Sequence, residues 1–249
     1  MPSIAFAHFA STGKNTATLE TVKQIRRIYP DAYYFLASDA VDDLSPIAKQ
    51  YRLDYEFFNF RLGYPQQPFG YRHEKVCEFL RRLQIACSRS GTSHILMVED
   101  DVLVRKPITV EHDWELAATF LGTDGKGNLL TEPVIDLIEF FSGQRPNVTQ
   151  YGACGGSMFR VDTFLENYQK VTEFFREHLS TLQDQFNPTL GWIDCFMTVF
   201  YLLSGKPYTV NPYLADTHHH RPGFDYDGFV AKLPATIEIV NNYKKYYWT

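Results

Sequence analysis

The chain is predicted to fold as an α/β protein, with a mixed, mainly parallel sheet flanked by helices. Three observations carry this prediction. Short apolar runs such as Ile95-Leu-Met-Val98, free of Gly and Pro, read as strands covered on both faces. Segments with apolar residues at helical spacing stand between such runs, the alternation that builds parallel sheets. The run at 95–98 also ends in three consecutive acids, Glu99, Asp100 and Asp101. Ionised carboxylates resist leaving water unless paired or bound to metal, and ligands bind at the carboxyl ends of strands in open α/β sheets.

Ile4 to Ala10 is the first strand, and residues 16 to 29 the first helix, with Leu19, Val22, Ile25, Ile28 and Tyr29 at helical spacing before Pro30-Asp31. Tyr33 to Ala37 is a second strand ending in Ser38-Asp39. Pro46 to Tyr51 is a short helix, and Tyr55 to Asn59 a third strand. This is the order of a Rossmann-like half-sheet. Residues 61–70, with two Pro and two Gly, form a loop before a long helix from Tyr71 to Ser90. Glu111 to Leu121 reads as a helix, residues 122–128 as a turn-rich loop, and Val134 to Phe141 fits either strand or helix. Asp162 to His178 and Ile193 to Leu203 are helices, the second stopped by Gly205 and Pro207. The tail beyond Pro234 is rich in Tyr and Lys and is expected to pack over the core.

The 249 residues are 45% hydrophobic and 21% charged, which suits one domain spanning 1–249. It divides into a first half at about 1–106, a second half at about 107–222 and a tail at 223–249. A net charge of −5 argues against a nucleic-acid partner. No apolar run reaches the roughly 20 residues of a membrane-spanning helix, and no basic-plus-apolar signal sequence opens the chain. Cys77, Cys87, Cys154 and Cys195 contain no C-x-x-C pair and read as reduced thiols. The expected compartment is therefore the cytoplasm; the alternative is the lumenal catalytic domain of a membrane-anchored enzyme. The first strand is not followed by the Gly-x-Gly-x-x-Gly of a dinucleotide enzyme, and Gly13-Lys14 lacks the upstream Gly of a P-loop.

Several residues stand out beyond the three acids, whose hard oxygens suit Mg²⁺ or Mn²⁺ and, through it, a diphosphate. Arg72, His73 and Lys75 crowd the first turn of a helix, where positive charge is disfavoured unless an anion is held nearby; a solvated basic patch is the alternative. Gly155-Gly156 either lets the backbone approach a ligand closely or marks a bulged strand. Asp194, in a first helical turn after Trp192, is a candidate general base or simply a helix-terminal acid. In His218-His-His220, an extended backbone puts His218 and His220 on one face, where they could ligate a metal or merely be solvated.

An apolar strand, Glu99-Asp100-Asp101 and then Val102-Leu-Val104 resemble the D-x-D-type motif of GT-A glycosyltransferases. The Glu-Asp-Asp spelling is similar to that of the N-acetylglucosaminyltransferase I group. At motif level the resemblance covers most of residues 3–222. It implies a GT-A sheet and transfer of a sugar from a UDP- or GDP-sugar donor to a glycan or glycoprotein acceptor, with inversion; retention is the alternative. It further implies Mn²⁺ or Mg²⁺ held by Asp101 with Asp100 near it, and completed by His218 and His220. Ser38 and Asp39 would lie at the nucleoside, although Asp39 also fits a turn or helix cap, and Arg72 and Lys75 would lie at the nucleotide. Gly155 and Gly156 would lie beneath donor sugar and acceptor, Trp192 would stack on a sugar, and Asp194 would be the base. Glu99 replaces the Asp of a strict D-x-D, so contact with metal, with ribose or with neither stays open.

Two other classes are weighed against this. A haloacid-dehalogenase-type phosphatase needs an Asp nucleophile with a second Asp two residues on, near the start of the chain; here the acids come late and position 99 is Glu. A non-catalytic sugar-binding module would use the same cleft without turnover.

Overall fold

The computed structural model describes residues 3–10, 15–39, 42–62, 73–99, 102–104, 107–108, 115–120, 128–130, 132–146, 150–151, 153–185, 192–206, 208–219 and 237–241. The first half alternates as expected: β1 (Ile4–Ala10), α1 (Asn15–Ile28), β2 (Tyr34–Asp39), α2 (Ser45–Tyr51), β3 (Asp54–Phe58), α3 (His73–Ser90) and β4 (His94–Val98). Next come β5 (Val102–Val104), β6 (Leu116–Phe120), β7 (Asn128–Leu129), α4 (Glu132–Ser142), β8 (Gln150–Tyr151) and β9 (Ala153–Arg160). The chain continues with α5 (Val161–Gln185), α6 (Trp192–Leu203), β10 (Tyr208–His219) and β11 (Ile237–Asn241).

Nine strands form one sheet in the order β3-β2-β1-β4-β9-β6-β10-β11-β5, while β7 and β8 form a separate pair. Pairing is parallel across β3-β2-β1-β4 and β6-β10-β11, and antiparallel where β9 joins β4 and β6 and where β5 joins β11. The sheet is thus mixed and mainly parallel. Every residue of β2 and β4 is buried, as expected for strands with both faces covered. One face packs on α1 and α2 through residues such as Val22, Ile25, Leu44 and Ala48. The other packs on α3, α4, α5 and α6 through Leu80, Ile138, Phe164 and Phe200 among others. Among the described residues no helix is long and apolar enough to cross a membrane.

The short link from β4 to β5 shapes the sheet. Only residues 99–101 separate the two strands, yet β5 lies five places from β4 in the sheet. Five steps of a flat sheet span roughly 24 Å at about 4.8 Å each, whereas the chain from Val98 to Val102 reaches at most about 14 Å. The sheet therefore curls until β5 returns beside β4. Val102 and Val104 accordingly share a cluster with Leu96, Val98 and Phe6, and β5 packs against α1.

Three expectations change. Residues 116–120 are a strand, not part of a helix. The helix-favouring Leu116-Ala-Ala stretch lies between β9 and β10 with Leu116 and Ala117 fully buried, so pairing on both sides overrides local propensity. The ambiguous segment at 134–141 belongs to helix α4, which buries Val134, Ile135 and Ile138 on one face. The tail supplies β11, a strand inside the sheet between β10 and β5, rather than a cover over the core.

The helical side of the core is held by aromatic packing. Phe164 of α5 and Phe200 of α6 are fully buried and stack with ring centroids 4.6 Å apart. Phe200→Ala is expected to cost about 3–5 kcal/mol in urea unfolding, whereas Phe140→Ala, at a ring 81% exposed, should stay within about 0.5 kcal/mol of the parent.

Candidate functional site

The chain leaves β1 for β2 on one side and later returns to β4 on the other, so β1 and β4 are neighbours at a topological switch point. Their carboxyl ends are where an open α/β sheet leaves a crevice. Glu99 follows β4 there, and its carbonyl accepts the N–H of Val102 at 3.0 Å, an i to i+3 closure of the β-turn kind. Asp100 and Asp101, between them in sequence, lie outside the described residues.

Opposite stands β9. Its register with β4 pairs His94 with Arg160, Ile95 with Phe159 and Leu96 with Met158, and continuing it brings Glu99 opposite Gly155. A Cβ built on Gly155 would lie 2.9 Å from Glu99 Cδ, 3.0 Å from Oε2 and 3.2 Å from Cγ. Gly156 has φ +79°, a left-handed conformation that glycine adopts without the cost a side chain brings. The pairing of β9 with β6 shifts register between Ala117 and Thr119, across this same Gly-Gly stretch. The two glycines thus serve different ends: Gly156 a backbone irregularity, Gly155 the close approach of the Glu99 side chain.

Helix α6 packs along β9 and also touches β8, which precedes it. Its far end is anchored by Tyr201, whose hydroxyl donates to the Arg160 carbonyl at 2.9 Å at the end of β9. The opening turn of α6, containing Trp192 and Asp194, therefore lies toward the start of β9, the Gly155 end. The side chains of Trp192 and Asp194 lie outside the described residues. On the curled side of the sheet, Val102 pairs with Ile239, and Ile239 with Thr217. His218, next in β10, pairs with Val240, so its backbone stands two strands from β5. His220 lies outside the described residues. Among the described residues no three His, Cys, Asp or Glu side chains gather as a metal cluster.

At the end of β2 the structure brings forward a residue that sequence reading missed. Arg82 is 1% exposed, and all three of its nitrogens are engaged. Nη1 donates to Asp39 Oδ1 at 2.7 Å, Nη2 to the Phe60 carbonyl at 2.6 Å and Nε to Glu78 Oε1 at 3.1 Å. The guanidinium also sits 4.2 Å from the Phe58 ring centroid. The other oxygen of Asp39 accepts the Leu62 N–H at 3.0 Å. Asp39 therefore anchors Arg82 and fixes the chain beyond β3. The available signal was spacing: Arg82 follows Phe79 by three residues and precedes Ala86 by four, inside the apolar stripe of α3.

Nearby groups feel this burial. For Glu78, burial pushes the carboxyl up, but hydrogen bonds from Arg81 and Arg82 outweigh it and hold the group below its usual range. Burial lowers the Lys75 ammonium, assisted by Arg61 and opposed by Asp39, and Lys75 Nζ donates to the Leu62 carbonyl at 3.4 Å. Ser38 shares a 2.7 Å hydrogen bond with the Tyr55 hydroxyl, which also donates to Asp43 at 3.3 Å. Arg72 lies outside the described residues.

Removing one member of a buried ion pair strands the other. Arg82→Ala is accordingly expected to lower unfolding free energy by about 3–5 kcal/mol in a urea titration. Arg82→Lys should recover only part of this, because one ammonium cannot reproduce the planar fork that reaches Asp39, Phe60 and Glu78.

No protein-family model and no curated protein matches the chain. Solved structures do. A crystal structure of the galactosyltransferase LgtC in complex with donor and acceptor sugar analogues aligns over 95% of this chain and 86% of the other, with a TM-score of 0.55 and 12% identity. An active-site mutant of LgtC aligns over the same shares, with a TM-score of 0.56 and 12% identity. At that identity the likeness is one of fold: the chain has the mixed α/β architecture of GT-A glycosyltransferases.

Proposed function

We propose that this chain is a glycosyltransferase that moves a sugar from a UDP- or GDP-sugar to an acceptor hydroxyl on a glycan or glycoprotein. The observation that carries the reading is the convergence at the end of β4. Glu99 and the Gly155-Gly156 irregularity lie together at the carboxyl end of β4, next to the switch point, and α6 packs on β9 with its opening turn toward that end. We take 1–249 as one domain, because β11 of the tail completes the same sheet as β1.

In this reading a divalent cation, Mn²⁺ or Mg²⁺, is held by Asp101 with Asp100 beside it, together with His218 and His220. The donor set fits: carboxylate oxygen and imidazole nitrogen both suit these metals. The backbone also fits, since the pairings Val102–Ile239–Thr217 hold the residue after Asp101 and the residue before His218 two strand spacings apart, about 10 Å. Bound there, the cation would neutralise charge on the departing diphosphate.

The chain's own residues bind, orient and move the proton. Arg72 and Lys75 offer positive charge to the diphosphate, and Ser38 and Asp39 end the strand that lies at the nucleoside, Asp39 while still holding Arg82. Trp192 offers a ring face to a sugar, and Gly155 and Gly156 lie on the strand beneath donor sugar and acceptor. Asp194 accepts the acceptor hydroxyl proton as that oxygen attacks the anomeric carbon from the side opposite the leaving group, which inverts the configuration. Ionisation of Asp194 is favoured by its place in a helix's first turn.

Ligand binding to the folded state raises the melting temperature by mass action. A thermal-shift panel of UDP- and GDP-sugars should therefore show stabilisation with Mn²⁺ and little in EDTA; equal stabilisation in EDTA removes the metal bridge. Binding without transfer or hydrolysis would make the chain a binding module. Asp194→Asn should keep the fold and donor KM while kcat falls about 10²–10⁴-fold, because an amide accepts no proton at neutral pH. Normal transfer by that variant, or a product of retained configuration in the parent, takes Asp194 out of the role of inverting base.

A further inference from the structure

We infer that Gly155 is a positioning residue for Glu99: the missing side chain at 155 is the space into which the first acid of the Glu-Asp-Asp run extends. The three nearest atoms that a Cβ at Gly155 would meet all belong to Glu99, at 2.9, 3.0 and 3.2 Å. Gly155 does not have the positive φ that Gly156 has, so its backbone conformation suits an L-residue. Glycine is required at 155 by the Glu99 side chain and at 156 by the backbone. The contact also follows from register, since β4 and β9 bring Glu99 and Gly155 opposite each other on the same face.

The chemistry accounts for the identity of the acid. Glutamate carries its carboxylate one methylene farther from the backbone than aspartate does. That extra reach carries the Glu99 carboxylate, Cδ and Oε2, across to Gly155 on β9. A methyl at 155 would occupy that place. What would yield is the end of a flexible side chain, so the fold should survive while the carboxylate moves. Glu99 and Gly155 are in this sense one choice: a longer acid with no side chain opposite, in place of a shorter acid with a small one. The claim that this matters for ligand binding rests on the glycosyltransferase reading above; the claim that the two positions are coupled does not.

Four proteins test it: the parent, Gly155→Ala, Glu99→Ala and the double variant. Each is melted without ligand, crystallised without ligand, and titrated with UDP in the presence of Mn²⁺. Gly155→Ala is expected to melt within a few degrees of the parent, to show the Glu99 carboxylate displaced from β9 by about half an ångström or more, and to bind Mn²⁺–UDP at least tenfold more weakly. In the Glu99→Ala background the same alanine should change affinity less than threefold, since the three atoms it would meet, Cγ, Cδ and Oε2, are gone. An unmoved Glu99 carboxylate in Gly155→Ala overturns the coupling. A displaced carboxylate with unchanged Mn²⁺–UDP affinity, or equal losses in both backgrounds, overturns the positioning role. A parent that binds no Mn²⁺–UDP overturns the glycosyltransferase reading instead, and the carboxylate position in Gly155→Ala then decides the coupling alone.

Discussion

Three residues join β4 to β5, and the sheet has to bend to allow it. A connection that short cannot cross five strand positions of a flat sheet, so β9, β6, β10 and β11 must carry β5 round until it sits beside the strand it left. The three residues of the link are Glu99, Asp100 and Asp101. Glu99 thus stands at the seam where the curled sheet meets itself, and the end of β10 and the tail strand β11 are drawn to the same seam. Burial holds the closure: Val102 and Val104 join the cluster of Leu96, Val98 and Phe6, and Ile108 donates its N–H to the Tyr29 hydroxyl of the segment after α1.

A second fixed point lies across the crevice. Arg82 and Asp39 are both buried, and an ion pair in such a place is tolerable because nearly every polar position is satisfied. The pair ties the end of β2, the chain after β3 and the middle of α3 to one another. The walls of the crevice at the ends of β2 and β3 are therefore set by a rigid hydrogen-bonded cluster rather than by loop packing. Such preorganisation suits a site that must hold a polar ligand without rearranging.

The two glycines on β9 show how similar residues can answer different demands. Gly156 answers a backbone demand, because its φ is positive. Gly155 answers a neighbour's demand, because Glu99 occupies the place of its side chain. In the sequence they are identical letters in a row, and both a bulge and a close approach to something are consistent with them. The structure carries both features, with the approach made to a side chain of the same chain.

Much of the first half was legible from sequence because its determinants are local. Apolar runs without Gly or Pro became β1, β2 and β4, and helical spacing became α1 and α3. Three carboxylates directly after a buried strand pointed to a ligand-binding end of the sheet, since nothing in core packing calls for charge there. What sequence could not settle depended on partners far along the chain. Leu116 to Phe120 has the composition of a helix and becomes a strand because β9 and β10 flank it. The tail becomes a sheet strand because the curl leaves an open edge between β10 and β5. Helical spacing sets Arg82, unlike its neighbour Arg81, in the apolar stripe of α3, but only the approach of Asp39, 43 residues earlier, supplies the partner that makes its burial tolerable. Local periodicity thus determined most of the elements, while long-range pairing decided the curl of the sheet, the buried ion pair and the contact between Glu99 and Gly155, because each is made by residues that meet only once the chain has folded.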